Sequence, residues 1–150
     1  MNFETFEDII TYAIQKEIEA VQFYNAAANQ EKYADAKSAF KEFAEEEQRH
    51  VTLLENISKS NVEHYKLRYV PNLKRSDYTV DMAYEPGMMF EDILKLAAKR
   101  EEMAFQFYTD LGNGSENPEH KKLFQTLAQE EAKHKLKFET ILDDHFAEMG

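Results

Sequence analysis

Apolar residues recur at alternating spacings of four and three along four stretches of the chain, as they do in helices that bury one face. These apolar stripes cover residues 6–27, 40–57, 90–111 and 124–141. Only four glycines and three prolines interrupt the 150 residues, so turn-forming positions are few. The pattern predicts an all-α chain with four long helices.

Residues at the ends of the stripes favour particular helix boundaries. Thr5 is a candidate cap for the first helix, and Asp35 and Ser38 are candidate caps near the start of the second. Residues 112–114, Gly-Asn-Gly, are expected to end the third helix. Asn117, followed by proline, is expected to cap the fourth.

Short connections predict that the helices pair as two antiparallel hairpins within one domain, residues 1–150. The first hairpin covers about 4–59 with its loop at 29–34, and the second about 89–148. The crossover between them, about 58–88, is long, and part of it is expected to prolong the second helix to about Tyr69. The architecture expected is a four-helix bundle. The crossover is rich in aromatic residues and turn formers: Tyr65, Tyr69, Pro71, Tyr78, Tyr84, Pro86 and Gly87.

The two halves of the chain repeat each other at an offset of 84 residues. FEDII at 6–10 recurs as FEDIL at 90–94, and KEIEAVQFY at 16–24 recurs as REEMAFQFY at 100–108. Superposition of residues 6–57 on 90–141 is therefore expected to relate the halves by a pseudo-two-fold axis.

Each half also carries one glutamate followed 30 residues later by a Glu-x-x-His motif. The six residues are Glu17, Glu47 and His50 in the first half, and Glu101, Glu131 and His134 in the second. All six fall on the stripes, where an unpaired carboxylate costs several kcal/mol because its charge loses hydration. Two divalent cations would neutralise four carboxylates. The repeat therefore predicts one two-metal site built from both halves.

Ordinary exposed charge is the simpler interpretation of a lone Glu-x-x-His, but two copies at equal offset with partner glutamates argue against it. Glu46 and Glu130 are not followed by histidine at the third position, so they are expected to face solvent or support a ligand. Glu19 and Glu102 fall off the stripes and are expected at the surface.

Other residues with reactive side chains lie near these motifs. Tyr24 and Tyr108 follow the first glutamate of each half by two turns, so their hydroxyls are placed either to orient a ligand and relay a proton or electron, or simply to pack in the core. His64, His120 and His145 have no carboxylate at ligand spacing and are expected to be solvated.

Composition narrows the class of protein. A net charge of −11 disfavours nucleic-acid binding. The absence of cysteine excludes disulfides and thiolate-held metal clusters. The acidic start does not resemble a signal peptide, and no apolar run approaches the roughly 20 residues that span a bilayer. A cytoplasmic protein without membrane association is expected.

The glutamate and histidine pattern resembles the ferritin-like di-iron carboxylate superfamily, and most closely the rubrerythrin-type di-iron domain. The resemblance implies a ferritin-like bundle holding two iron ions, with Glu47 and Glu131 bridging them. It implies that Glu17 and His50 complete one iron and that Glu101 and His134 complete the other. Manganese or zinc suits the same ligand types.

Two departures from the rubrerythrin pattern bear on activity. The chain has no cysteine, so it carries no rubredoxin domain, and electrons would come from a separate, rubredoxin-like donor. Rubrerythrins also tend to carry a further carboxylate where this chain has Ala104, three residues after Glu101. That difference makes the site resemble a simpler ferritin-like centre.

Three functions remain open at this point. The favoured one is a di-iron oxidoreductase that reduces hydrogen peroxide or dioxygen. The others are a ferroxidase for iron storage or detoxification, and a metal-binding bundle without catalysis. Catalytic turnover with an added reductant separates the first from the other two.

The number of aromatic residues is high for one four-helix core, and the resembling family often oligomerises. We therefore expect a homodimer or a larger homo-oligomer. Light scattering at micromolar concentration checks this, and a monomeric mass would contradict it.

Overall fold

The structure, a computed structural model, describes residues 3, 5–30, 34–60 and 73–149. It contains helices α1 (Phe6–Gln30), α2 (Ala34–Ser60), α3 (Phe90–Asn113) and α4 (Pro118–Met149), and a short 3-10 helix (Arg75–Tyr78). No β-strand occurs among these described residues. The chain divides into two compact units, one built on α1 and α2 and the other on the 3-10 helix, α3 and α4. The prediction of an all-α chain with four long helices is confirmed.

Hairpin one consists of α1 packed along α2. The Thr5 hydroxyl accepts a hydrogen bond from the Asp8 backbone N–H at 3.0 Å, so the predicted cap of α1 is confirmed. The core of this hairpin contains large, fully buried side chains: Ile9, Ile10, Tyr24, Phe40 and Leu54. Their burial supplies the apolar contact that holds two otherwise acidic helices together.

The start of α2 differs from the expectation. The helix already begins at Ala34, so Ser38 lies inside its second turn and is not its N-cap, while the side chain of Asp35 lies outside what the structure describes. Alanines alternate with polar residues here, and alanine has the highest helix propensity. The helix therefore extends upstream of the apolar stripe that predicted it.

Hairpin two consists of α3 packed along α4. The Asn117 side-chain oxygen accepts hydrogen bonds from the Glu119 N–H at 2.8 Å and the His120 N–H at 3.2 Å. The predicted cap of α4 is thus confirmed. Helix α3 ends at Asn113, one residue beyond the first of the two glycines predicted to stop it.

Gly112 belongs to α3 and marks a close approach of the two helices. A Cβ atom at this residue would lie 3.4 Å from the Gln125 side chain and 3.6 Å from the Lys121 carbonyl oxygen. Its lack of a side chain thus lets α3 run near the backbone of α4. Gly114 ends α3, and its N–H donates to the carbonyl oxygen of Asp110.

The described part of the crossover leads into hairpin two. Its 3-10 helix packs against α3, with Leu73 and Tyr78 buried. A later turn has Gly87 at φ +88°, a conformation that favours glycine, and the Met88 N–H donates to the Glu85 carbonyl oxygen. The prolongation of α2 to Tyr69, together with Tyr65 and Pro71, lies outside the described residues.

The sequence repeat extends to the packing inside each hairpin. Tyr24 stacks on Phe40 with ring centroids 6.4 Å apart and an interplanar angle of 18°. Their equivalents Tyr108 and Phe124 stack at 6.5 Å and 11°. Each hairpin thus places the same aromatic pair across its two helices. None of the described helices is long and apolar enough to cross a membrane.

Candidate metal centre

Hairpin one brings together its three predicted ligands, which we call triad one: Glu17 from α1, and Glu47 and His50 from α2. His50 Nδ1 lies 3.4 Å from a Glu17 oxygen and 3.5 Å from a Glu47 oxygen. One ligand atom of each residue lies within 4.8 Å of the other two. All three residues are buried. The i, i+3 spacing places Glu47 and His50 on one face of α2, opposite Glu17 on α1.

Hairpin two repeats this arrangement in triad two: Glu101 from α3, and Glu131 and His134 from α4. His134 Nδ1 lies 3.6 Å from a Glu101 oxygen. One ligand atom of each residue again lies within 4.8 Å of the other two, and all three are buried. Both predicted sets of three are therefore assembled within their own hairpins, although the first glutamate of each set precedes the other two members by 30 or more residues.

Burial and mutual repulsion perturb the titration of triad one. Burial raises the pKa of Glu17 well above its ordinary value, and the neighbouring Glu47 carboxylate raises it further, while His50 opposes both. Burial by itself lowers the pKa of His50, but hydrogen bonds and charge attraction from Glu17 and Glu47 outweigh it and raise that pKa to about 11. Without metal, this triad therefore retains protons at neutral pH.

The donor chemistry of the triads fits divalent metal ions. Each triad offers carboxylate oxygens and one imidazole nitrogen, which suit iron, manganese and zinc. Each also buries two carboxylates, whose ionised forms are costly unless a cation compensates them. Protons supply part of that compensation in the metal-free protein, and a metal ion would supply all of it.

The glutamates beside the ligands occupy less buried positions. Glu46 and Glu130 are half-buried next to Glu47 and Glu131. Glu19 lies 3.3 Å from Lys16, and Glu102 lies 2.7 Å from Lys135, with both glutamate side chains more than a third exposed. Glu19 and Glu102 thus lie at the surface as expected.

Tyr24 and Tyr108 are buried in the aromatic core of their hairpins. Tyr24 contacts Phe40 and also Phe43, with ring centroids 5.7 Å apart in the second pair. Tyr108 contacts Phe124 in the same manner. Both tyrosines thus pack in the core of their hairpins, and a role of their hydroxyls toward a metal ligand stays a prediction.

The expectation that His120 and His145 are solvated is wrong. His120 is buried, with its ring 6.0 Å from that of Phe124, and burial lowers its pKa although the Glu119 charge opposes the shift. His145 is half-buried, and its Nε2 lies 3.1 Å from Glu91. His64 lies outside the described residues.

The contact between His145 and Glu91 could not be predicted from the spacing of residues along one helix. The two residues are 54 positions apart and meet because the start of α3 lies beside the end of α4. Phe90, next to Glu91, also presents its ring to His145 in an edge contact at 5.2 Å. A search for partners at helical spacing along one helix does not detect such a pair.

Comparisons with known proteins provide evidence on family and fold that does not depend on the geometry of the triads. A sequence model of the family described as Rubrerythrin matches residues 8–142. Among solved structures, a protein from Thermotoga maritima, provisionally described as ferritin-like and diiron-carboxylate, superposes with a TM-score of 0.83. It is 20% identical, and the match covers 97% of this chain and 99% of that one. The fold is therefore that of the ferritin-like four-helix bundles.

A second solved structure is a hypothetical protein from Pyrococcus furiosus. It superposes with a TM-score of 0.74 at 26% identity, over 93% of this chain and 89% of that one. No curated protein matches the chain.

Metal binding is expected to release protons and to tighten as pH rises. A ligating His50 nitrogen must be unprotonated, yet the pKa of about 11 keeps it protonated over the physiological range. Raising pH toward that value removes the competing proton, and the raised pKa of Glu17 acts in the same direction. Calorimetry of zinc or manganese binding in two buffers of different ionisation enthalpy measures the release. His50→Gln is the control, and its metal binding should release fewer protons. Metal binding to the unaltered chain without any proton release would contradict the expectation.

Proposed function

The chain belongs to the rubrerythrin family, and we propose that it is a di-iron oxidoreductase that reduces hydrogen peroxide or dioxygen with electrons from a separate donor. The observation that carries this proposal is the pair of matched, buried triads, each with two carboxylates and one imidazole. Buried donor sets of this kind are typical of ferritin-like proteins that hold two metal ions.

We further propose that triads one and two form one site for two iron ions. Four carboxylates balance the charge of two ferrous ions, and the two neutral imidazoles complete the donor set. By resemblance to the family, Glu47 and Glu131 would bridge the ions. Glu17 and His50 would complete the ligands of one ion, and Glu101 and His134 would complete those of the other.

Two iron ions, when bound, supply two electrons at one place, which matches the two-electron reduction of peroxide to water. The chain's own residues set the conditions for that chemistry. Glu17 and His50 hold protons in the metal-free protein and give them up when they become ligands. The buried rings of Tyr24 and Tyr108 lie about two turns along the same helices from Glu17 and Glu101. Burial makes the ionised carboxylates costly unless metal ions or protons compensate their charge.

The electron donor is proposed to be a separate, rubredoxin-like protein. The chain has no cysteine and so has no thiolate-held iron of its own. Association of the chain with itself, as a homodimer or a larger homo-oligomer, is part of the same proposal, because members of the resembling family often oligomerise.

A ferroxidase is the second candidate, and one observation favours it. Ala104 stands where rubrerythrins tend to carry a further carboxylate, so α3 offers no additional ligand one turn after Glu101. A ligand set that does not rearrange between redox states suits oxidation of incoming ferrous iron for storage or detoxification. The two candidates differ in whether an added donor sustains turnover.

Glu47→Ala and Glu131→Ala are expected to lower metal content well below two ions per chain, because each removes a buried carboxylate proposed to bridge. Glu46→Ala and Glu130→Ala are matched controls, since each removes a half-buried glutamate one residue earlier on the same helix. Elemental analysis of the purified, reloaded proteins gives the stoichiometry. Unchanged metal content in both bridging variants would refute the assignment.

The reduced, iron-loaded protein is expected to be oxidised rapidly by hydrogen peroxide or dioxygen, and to consume peroxide catalytically only when a donor is present. Stopped-flow absorbance of the anaerobically reduced protein measures the first step, and a coupled peroxidase assay measures the second. Rapid oxidation without donor-supported turnover would favour the ferroxidase. If the protein reacts with neither oxidant, metal binding without catalysis is the remaining function.

A further inference from the structure

One face of α4 carries positive charge, although the chain has a net charge of −11. On the side of the helix away from its buried residues, exposed residues recur at helical spacing. The nearest carboxylates along α4 lie at the edges of this face: Glu130 is half-buried, and Glu139 lies 3.3 Å from Lys135. The exposed residues of the face, which we call the lysine stripe, include no acidic residue: Lys122, Thr126, Gln129, Lys133, Leu136 and Lys137.

The lysine stripe also contains an exposed apolar side chain. Leu136 lies between Lys133 and Lys137 along this face and is 65% exposed, more than any other large apolar side chain in the part of the chain that the structure describes. A single exposed leucine is ordinary on a protein surface. Among lysines on one face, however, it adds an apolar contact to a charged patch, and protein interfaces combine these two components.

Hairpin one does not repeat the lysine stripe. The offset of 84 residues matches Thr126 to Glu42 and Gln129 to Glu45, and both glutamates are exposed on α2. The duplicated helix pair thus accepts acidic residues at these two places. Packing of the hairpin does not require uncharged residues there, so the stripe is a property of the surface of hairpin two.

The lysine stripe lies on the helix that supplies two candidate metal ligands. Lys133 directly precedes His134 in the chain. His134 is 6% exposed, more than any of the other five candidate ligands. An α-helix with its side chains is about 10–12 Å across, so a protein bound to the stripe is separated from His134 by no more than that thickness. The stripe is therefore a surface from which a bound protein can deliver electrons to triad two.

We propose that the lysine stripe is the docking surface for the electron donor, and that the donor is a small acidic protein that carries one electron. Its carboxylates face the three lysines, and an apolar residue at the centre of its contact surface packs on Leu136. The inference rests on the proposed oxidoreductase function. Each encounter oxidises the donor by one electron, so two encounters supply the two electrons that reduce one hydrogen peroxide, with two protons, to two water molecules.

Charge favours this occupant over a second copy of the chain. A two-fold contact uses the same patch on both copies, so it would place the lysines of one stripe against those of the other. Juxtaposed like charges disfavour such a contact. An acidic donor is attracted to the stripe at a distance, which raises the rate of association at low salt. The net negative charge of the chain repels the same donor elsewhere, so the stripe also orients it.

The first experiment measures binding without redox chemistry. The full chain, isotope-labelled and loaded with zinc, is titrated at low salt with a rubredoxin of negative net charge, and NMR identifies the amide signals that shift. We expect the shifts to cluster at residues 122–140 and to disappear in Lys133→Glu/Lys137→Glu. The matched control is Lys95→Glu/Lys99→Glu, which reverses two exposed lysines at the same spacing on α3. Shifts absent from 122–140, or equal losses in both double variants, would overturn the proposal.

A further variant tests the charge of the stripe and keeps all its lysines. Thr126→Glu/Gln129→Glu gives α4 the two acidic residues that hairpin one has at the matching positions. Affinity for the rubredoxin should fall by about tenfold, because the added carboxylates repel the acidic donor. Glutamate has a high helix propensity, so α4 should stay folded, and circular dichroism checks this. Unchanged affinity in this variant would contradict docking on the stripe.

The second experiment uses the iron-loaded protein and separates its two half-reactions. Stopped-flow absorbance follows reduction of the peroxide-oxidised protein by the reduced rubredoxin. The second-order rate constant should fall by about tenfold or more in the stripe variants at low salt, and the difference should shrink as salt screens the charges. The rate in Lys95→Glu/Lys99→Glu should stay close to that of the unaltered protein. Oxidation by peroxide should be unchanged in every variant.

The outcomes distinguish this inference from the proposed function. If the unaltered protein does not react with peroxide, the oxidoreductase proposal fails, while the NMR titration still decides whether an acidic carrier docks on the stripe. If oxidation is normal and the stripe variants are reduced as fast as the unaltered protein, only the docking proposal fails. If the stripe variants change the oligomeric mass in sedimentation but not the binding of the rubredoxin, the stripe is a contact between copies and the proposal is overturned.

Discussion

Burial of ionisable carboxylates inside helical hairpins is the constraint on which the rest of this structure depends. Two glutamates and one histidine occupy buried positions in each hairpin, where aliphatic side chains would pack more cheaply. Buried carboxylates are tolerated only if protons or cations compensate their charge. The raised pKa values of Glu17 and His50 are the direct expression of that requirement.

The internal repeat explains why both hairpins bury their carboxylates in the same arrangement. Each hairpin presents a glutamate from its first helix to a Glu-x-x-His motif on its second, and each packs a Tyr–Phe stack of nearly equal geometry across the same two helices. The helices must stay in register for these pairs to meet, and the buried apolar residues between them maintain that register. The same faces of the helices therefore carry both the candidate metal ligands and the apolar residues of the core.

The two hairpins are nevertheless different at their surfaces. Hairpin two has a hydrogen bond from Tyr78 to Asp110 and a contact between His145 and Glu91. Tyr78 comes from the crossover and the repeat matches Asp110 to Ala26, so this pair departs from the repeat, whereas Glu91 lies in the repeated FEDIL segment. Features that depart from a repeat are informative, because the common core does not require them.

The sequence by itself determined the helical class, the two hairpins, the caps at Thr5 and Asn117, and the six residues that form the triads. These properties depend on local periodicity and on an internal repeat at a constant offset of 84 residues, both of which can be read directly from the order of residues. It did not determine the start of α2, because alanine extends a helix without any apolar stripe. Only the tertiary structure decided the contacts between residues that are distant in sequence. His120 is buried, His145 meets Glu91 and Tyr78 reaches Asp110 because helices and crossover pack side by side. Those partners lie 32 and 54 residues apart, beyond any helical spacing.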